Sequence, residues 1–215
     1  MPAPEVAGVV LAAGPGRRMG LPTPKLLLPI HGKPMLAWVL ELVEGLPLGE
    51  RVLVLGAQAP ALLTALFPGQ EVPPAFFRGG ELRARRAGGA WRVLYNPDWP
   101  EGMGASLRCA ARAVPGGMLV FLGDMPYVPA EAARAVLARA GAHPVAPAFR
   151  GQRGFPVYLP ASLRPALLEL RGDVGARDLL SACELLPWDH PGVVWDVDRP
   201  EEVKEGACAG GPFPR

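Results

Sequence analysis

Cysteine and histidine are scarce in this chain of 215 residues, with three of each. Cys109, Cys183 and Cys208 stand apart, odd in number and without metal-ligand spacing, and His31, His143 and His190 are equally scattered. That pattern argues against a structural zinc site and against a disulfide framework, and points to a reducing cytoplasm. Long apolar runs are missing too. Stretches such as Met118–Leu122 fall far short of the roughly 20 residues that span a bilayer. The start shows no basic segment followed by an apolar run, so no secretion signal is expected. Net charge is small, formally +2, which gives no general affinity for nucleic acid or an anionic membrane. Lysine is the rarest cation: Lys25, Lys33 and Lys204 are three of 22 basic residues. Two of them follow the first glycine-rich segment closely, a hint that an ammonium rather than a guanidinium is wanted there.

What is present is apolar residues, half of the chain, enough for one large domain with a sizeable core. The segment 6–13 is a run of small and β-branched residues ended by Gly14, which predicts a strand buried on both faces. After a Gly- and Pro-rich loop, Pro34 and the spacing of Met35, Leu36, Val39, Leu40 and Val43 predict a helix closed by Gly45. Further strands are predicted at 51–55, 91–95, 118–122 and 144–147, and helices at 59–67, 105–113 and 130–140. Alternation of this kind implies an α/β fold: a single Rossmann-like domain, residues 1–205, with a mostly parallel central sheet covered by helices on both faces. Segment 68–90 is long, Gly- and Pro-bearing, and carries Arg78, Arg83, Arg85 and Arg86; a flexible insertion is expected, or a loop that captures an anion. Residues 206–215 have the composition of a frayed tail.

Three segments carry candidate chemistry. In the first, the strand runs through Leu11, Ala12 and Ala13 straight into Gly14 and Gly16, with Arg18 and then Pro24 and Lys25 following. A strand ending in glycines sets backbone N–H groups at the carboxyl edge of the sheet, where they form a nest for phosphate oxygens. Arg18 and Lys25 add positive charge facing a polyphosphate. Two familiar phosphate loops fail on spacing: Met19 stands where a dinucleotide fingerprint needs its third glycine, and Pro34 follows Gly32-Lys33 where a P-loop needs Ser or Thr. In the second segment Asp124 comes just past an apolar strand, so its carboxylate sits at the same edge, suited to Mg²⁺ shared with phosphates. In the third, Asp196 and Asp198 alternate in an extended stretch and point to one side; with Pro200 after it, Asp198 reads equally as a helix cap or a metal ligand. Ser106 lacks the Gly-x-Ser-x-Gly turn of a serine nucleophile.

Together these segments resemble the Rossmann-like nucleotidyltransferases that act on small phosphorylated molecules, and most closely the molybdenum cofactor cytidylyltransferases. The resemblance runs from residue 6 to about 203. It rests on 11–25, on Asn96-Pro97-Asp98-Trp99-Pro100-Glu101-Gly102-Met103 through Ser106-Leu107, on 123–126, 153–157 and 172–177, and on 196–201. It implies a nucleotide lying across Leu11, Ala12, Ala13, Gly14 and Gly16 with Arg18 and Lys25 on its phosphates, Gly102 and Ser106 facing the base, and Asp124 with Asp198 holding Mg²⁺. Catalytic roles then fall to Arg18, Lys25 and Asp124. CTP is the implied donor, since Ala13 stands where guanylyl-transferring relatives carry glycine. The implied acceptor is molybdopterin, and a molybdoenzyme the implied client. Three other outcomes stay open: guanylyl transfer to molybdopterin, nucleotidyl transfer to a sugar or polyol phosphate, and a non-catalytic carrier of the cofactor. The chain departs from the family pattern at Leu21-Pro22-Thr23, a spacing more like the cytidylyltransferase of the methylerythritol phosphate pathway. It departs again at Phe155, where the family often has His, and at 68–90.

Overall fold

The chain's first strand, β1 (Ala7–Ala12), is buried at every position, as a run of small and β-branched residues without polar alternation requires. The structure, a computed structural model, describes residues 6–16, 23–172 and 179–198. A short hairpin of β2 (Pro29–Ile30) and β3 (Lys33–Pro34) leads into α1 (Met35–Glu44), which is followed by β4 (Glu50–Leu55) and α2 (Ala59–Leu66). Next come β5 (Glu81–Arg86), β6 (Gly89–Tyr95), α3 (Met103–Ala113), β7 (Met118–Leu122) and α4 (Ala130–Ala138). The described chain closes with β8 (Val145–Phe149), β9 (Gln152–Arg153), β10 (Val157–Leu159), α5 (Arg164–Leu168) and β11 (Glu184–Pro187). No described helix is long and apolar enough to cross a membrane.

The main sheet has nine strands in the order β11-β8-β10-β7-β1-β4-β6-β5, with β9 on β8. Its centre, β7-β1-β4-β6, is parallel throughout. Alternate residues of these strands feed two cores. Val10, Leu53, Phe121 and Leu119 pack under α1, α2 and α4, while Val9, Val52, Val54 and Val120 pack under α3 and α5. The expected α/β architecture with helices on both faces is therefore the one found. From β1 the chain builds outward through β4 to β6, then returns to place β7 on the other side of β1. The strand order thus reverses between β1 and β7, the position where open α/β sheets bind ligands beyond their carboxyl ends. Register aligns those ends, with Leu11 opposite Leu122.

The structure corrects the sequence reading at 68–90. Instead of a long loop there is a 3₁₀ turn, Pro74–Arg78, and then β5, paired antiparallel with β6 at the sheet edge. Leu82 and Ala84 are buried and alternate with exposed Arg83 and Arg85. Two apolar residues among arginines are too few to show a period of two in the sequence. Arg86 turns inward: its Nε donates to Glu44 Oε1 at 3.1 Å, beside the Trp91 Nε1 bond to the same oxygen at 2.9 Å. The Glu44 side chain is only 7% exposed. Glu44→Ala would strand a buried indole N–H and leave the Arg86 guanidinium with the Leu66 carbonyl and, at 4.0 Å, Glu41, and is expected to lower stability by about 3 kcal/mol in urea denaturation. A loss below about 1 kcal/mol would mean that apolar packing alone holds the hairpin.

The sequence reading does not contain strands β2, β3, β5, β9, β10 and β11 or helix α5. The antiparallel β10, wedged between β7 and β8, interrupts the parallel order. The expected frayed tail, 206–215, lies outside the described residues.

Candidate active site

Where β1 ends, the backbone is fastened rather than loose. Ala57 N–H donates to the Ala13 carbonyl at 3.0 Å, tying the glycine-rich loop to the turn after β4. Gly16 has φ 61°, a left-handed conformation that favours glycine, and a Cβ there would lie 3.0 Å from Lys25 Cβ. The 3₁₀ turn Lys25–Leu27 then carries Lys25 back under the loop, where it is 7% exposed.

The Gly123 N–H donates to the Leu11 carbonyl at 2.9 Å, which continues the β1–β7 pairing past the strand end and holds Asp124 beside the loop. Val197 N–H donates to the Asp124 carbonyl at 3.0 Å. Val197 is fully buried against Ile30, Met35 and Tyr127, so its neighbours Asp196 and Asp198 are left on the side facing Asp124. The three carboxylates offer oxygens within 4.8 Å of one another. Lys25 Nζ donates to Asp124 Oδ2 at 2.9 Å and to Asp198 Oδ1 at 2.6 Å. Burial pulls the Lys25 ammonium toward its neutral form, but the two carboxylates outweigh it and its pKa ends above the ordinary lysine value. Lys25 is thus a cation throughout the neutral range.

A cleft of about 620 Å³ opens over these groups, a size suited to a small ligand. Leu11, Ala12, Ala13, Gly14, Gly16, Lys25, Gly102, Ser106, Asp124 and Asp198 all line it. Arg18 lies outside the described residues, as do 173–177 of the quoted motifs and residues 199–201. The sequence reading did not assign Asp196, Trp99 or Met103 to the site, yet they also line the cleft. For Asp196 the signal was its one-residue alternation with Asp198. None of Arg78, Arg83, Arg85 and Arg86 reaches the cleft wall. Lys33 is elsewhere as well, paired with Glu41 at 2.5 Å and lying 4.0 Å from the Trp38 ring centroid. Only one of the two neighbouring lysines is a site residue by position.

The far wall is the start of α3. Gly102 precedes the helix with φ 109° and ψ −168°, a region open essentially to glycine alone. Gly104 N–H donates to the Gly172 carbonyl at 3.1 Å. A second cleft, about 640 Å³, lies on the other side of this helix and is lined by Arg108, Arg112 and Arg171. Arg108 there is already bonded to Asp98, Glu101 and the Leu170 carbonyl, so the cleft over Lys25 is the better candidate.

Comparison with known proteins gives a family and a set of structures of similar fold. Residues 8–188 match the model of the MobA-like NTP transferase domain. Nicotine blue oxidoreductase of Paenarthrobacter nicotinovorans is 31% identical over 215 residues, covering 93% of this chain and 95% of that protein. Bifunctional protein GlmU of Sphingopyxis alaskensis is 35% identical over 140 residues, which is 64% of this chain and only 26% of GlmU. The crystal structure of Rv0371c from Mycobacterium tuberculosis superposes with a TM-score of 0.73 at 26% identity, covering 95% of this chain and 98% of that one. The same mycobacterial protein has been solved in complex with manganese, with a TM-score of 0.69 at 25% identity over 94% of this chain and 97% of that one.

Proposed function

Because the chain belongs to the MobA-like NTP transferase domain family, we propose that it transfers CMP from CTP to the phosphate of molybdopterin and releases pyrophosphate. The observation that carries this reading is a buried lysine held between two carboxylates, directly beneath a glycine loop at the switch point of the sheet. Phosphates entering the cleft meet the backbone N–H groups of Ala13, Gly14 and Gly16 and the Lys25 ammonium together. Those groups are fixed before substrate arrives, so they stabilise charge gathering on the leaving pyrophosphate without reorganising. Arg18 adds to them in this reading. An acceptor phosphate is already anionic near neutral pH, so the chain needs no strong general base and its work is positioning and charge neutralisation.

Asp124 and Asp198, with Asp196 in reach, form an all-oxygen donor set that fits a hard divalent cation. Mg²⁺ held there supplies charge neutralisation at the α-phosphate. Gly102 and Ser106 face the base, and Ala13 favours cytidine over guanosine. Transfer to a sugar or polyol phosphate keeps the same donor chemistry with a different acceptor. A pure carrier of the cofactor has no use for a lysine and carboxylates set against a phosphate loop. The expected setting is the cytoplasm, with a molybdoenzyme as client.

Thermal unfolding of the purified protein with each nucleoside triphosphate, with and without Mg²⁺, tests the reading. A ligand at about 100 times its Kd adds roughly 2.7 kcal/mol to stability. The expected result is a Mg²⁺-dependent rise in Tm that is largest with CTP. A larger rise with GTP would overturn the base assignment and keep the chemistry. A rise with NADH and none with any triphosphate would overturn the reading altogether.

A further inference from the structure

We propose that Asn96 fixes the Ser106 hydroxyl as a hydrogen-bond donor into the cleft, and thereby sets which edge of a nucleobase the cleft accepts; this rests on the nucleotide reading above. Both residues are buried, Asn96 at 2% and Ser106 at 5% exposure, so their polar atoms must find partners within the protein or in a ligand. Asn96 is anchored through its own N–H, which donates to the Leu55 carbonyl at 2.8 Å, at the carboxyl end of β4.

The orientation of its amide follows from what surrounds it. The Asp98 backbone N–H lies 3.1 Å from Asn96 Oδ1 and is a donor only, so the amide oxygen must face it. The NH₂ end is then turned to Ser106 and donates to its Oγ at 3.3 Å. A serine hydroxyl has one proton and two lone pairs. With a fixed donor facing the oxygen, a lone pair is used there and the proton is directed away. Among the described residues no acceptor takes that proton, and Ser106 lines the cleft beside Gly102, Met103 and Trp99. The wall therefore presents a donor. It suits a base edge carrying ring or carbonyl acceptors, as cytosine does at N3 and O2. Asn96 is a positioning residue that acts through Ser106 without needing contact with the base.

Asn96→Asp tests this, because it is nearly isosteric but reverses the polarity facing Ser106. The new carboxylate still accepts from the Asp98 N–H, yet it draws the serine proton inward and turns an oxygen lone pair to the cleft. CTP affinity, measured by calorimetry, is expected to fall about 10- to 100-fold. Affinity for inorganic tripolyphosphate, which has no base, is expected to stay unchanged. Ser106→Ala should show the same split, and the double variant should bind CTP no worse than the weaker single. If Asn96→Asp fails to fold, Ser106→Ala alone still decides, since loss of the hydroxyl must weaken CTP and spare tripolyphosphate. Equal weakening of both ligands, or a double variant that adds the two losses, would make Asn96 a structural support and overturn the inference. Wild-type protein that binds tripolyphosphate as tightly as CTP would overturn it as well and leave the phosphate chemistry standing. Wild-type protein that binds neither would take the nucleotide reading down with it.

Discussion

Lys25→Ala and Asp124→Ala are each expected to cut nucleotidyl transfer by about a hundredfold or more, with the fold retained. Among the described residues Lys25 is the ammonium nearest the glycine loop, and in the proposed reaction its substitution removes a preset charge from the place where pyrophosphate would leave. Asp124 is the carboxylate that the β1–β7 pairing holds at the strand ends. Steady-state turnover with CTP decides the matter, and wild-type-like rates in either variant would refute the site. Lys25→Ala has a second consequence. It removes the cation that Asp124 and Asp198 share, and their side chains are 28% and 31% exposed, so water screens part of the repulsion. A loss of about 1–3 kcal/mol in stability follows. Its pH dependence can be signed. The folded pKa of Lys25 is raised, so its contribution is complete below the unfolded lysine value, about 10.4, and is lost only as pH climbs through the folded value. As far as Lys25 is concerned, the stability gap between wild type and Lys25→Ala should stay level across the neutral range.

Gly56→Ala should damage both the fold and the cleft. A Cβ at this position would lie 2.5 Å from the Ala13 carbonyl oxygen and 2.7 and 2.8 Å from Trp99 Cβ and Cγ. Those atoms belong to two parts of the cleft lining, the glycine loop and the approach to α3. A backbone oxygen cannot swing aside as a side chain can, so the methyl forces the two parts apart. Overpacking of this kind costs about 1–3 kcal/mol, which lowers Tm by several degrees in a chain of this size. CTP affinity should fall alongside. A variant with unchanged urea midpoint and unchanged CTP binding would show that Trp99 yields freely and that Gly56 does not set the cleft's width.

Much of this site was legible from local patterns. Buried strands announce themselves as short apolar runs, and β7 coincides with the predicted 118–122. Glycines after 6–13 and an acid after 118–122 mark two strand ends, and a parallel sheet brings such ends to one edge. Strand β5, inside 68–90, was not legible, because Leu82 and Ala84 gain their meaning only from pairing with β6. Ser106 was read as facing the base through the family resemblance, but its pairing with Asn96 was not visible, since a hydrogen bond between two polar residues leaves no trace in periodicity.

The sequence by itself determined the α/β alternation, the glycine loop, and the placing of Lys25 and Asp124 just past strand ends. Each of those depends on residue type and near neighbours: chain flexibility at glycine, apolar runs that must be buried, charge placed just past a strand. Tertiary structure alone decided that Lys25 bonds both Asp124 and Asp198, which are 99 and 173 positions away. It alone decided that Asp196 joins them and that β10 runs against its neighbours. Those outcomes depend on strand order and register, which arise from competition among long-range pairings for one shared core, and no window of sequence contains that competition.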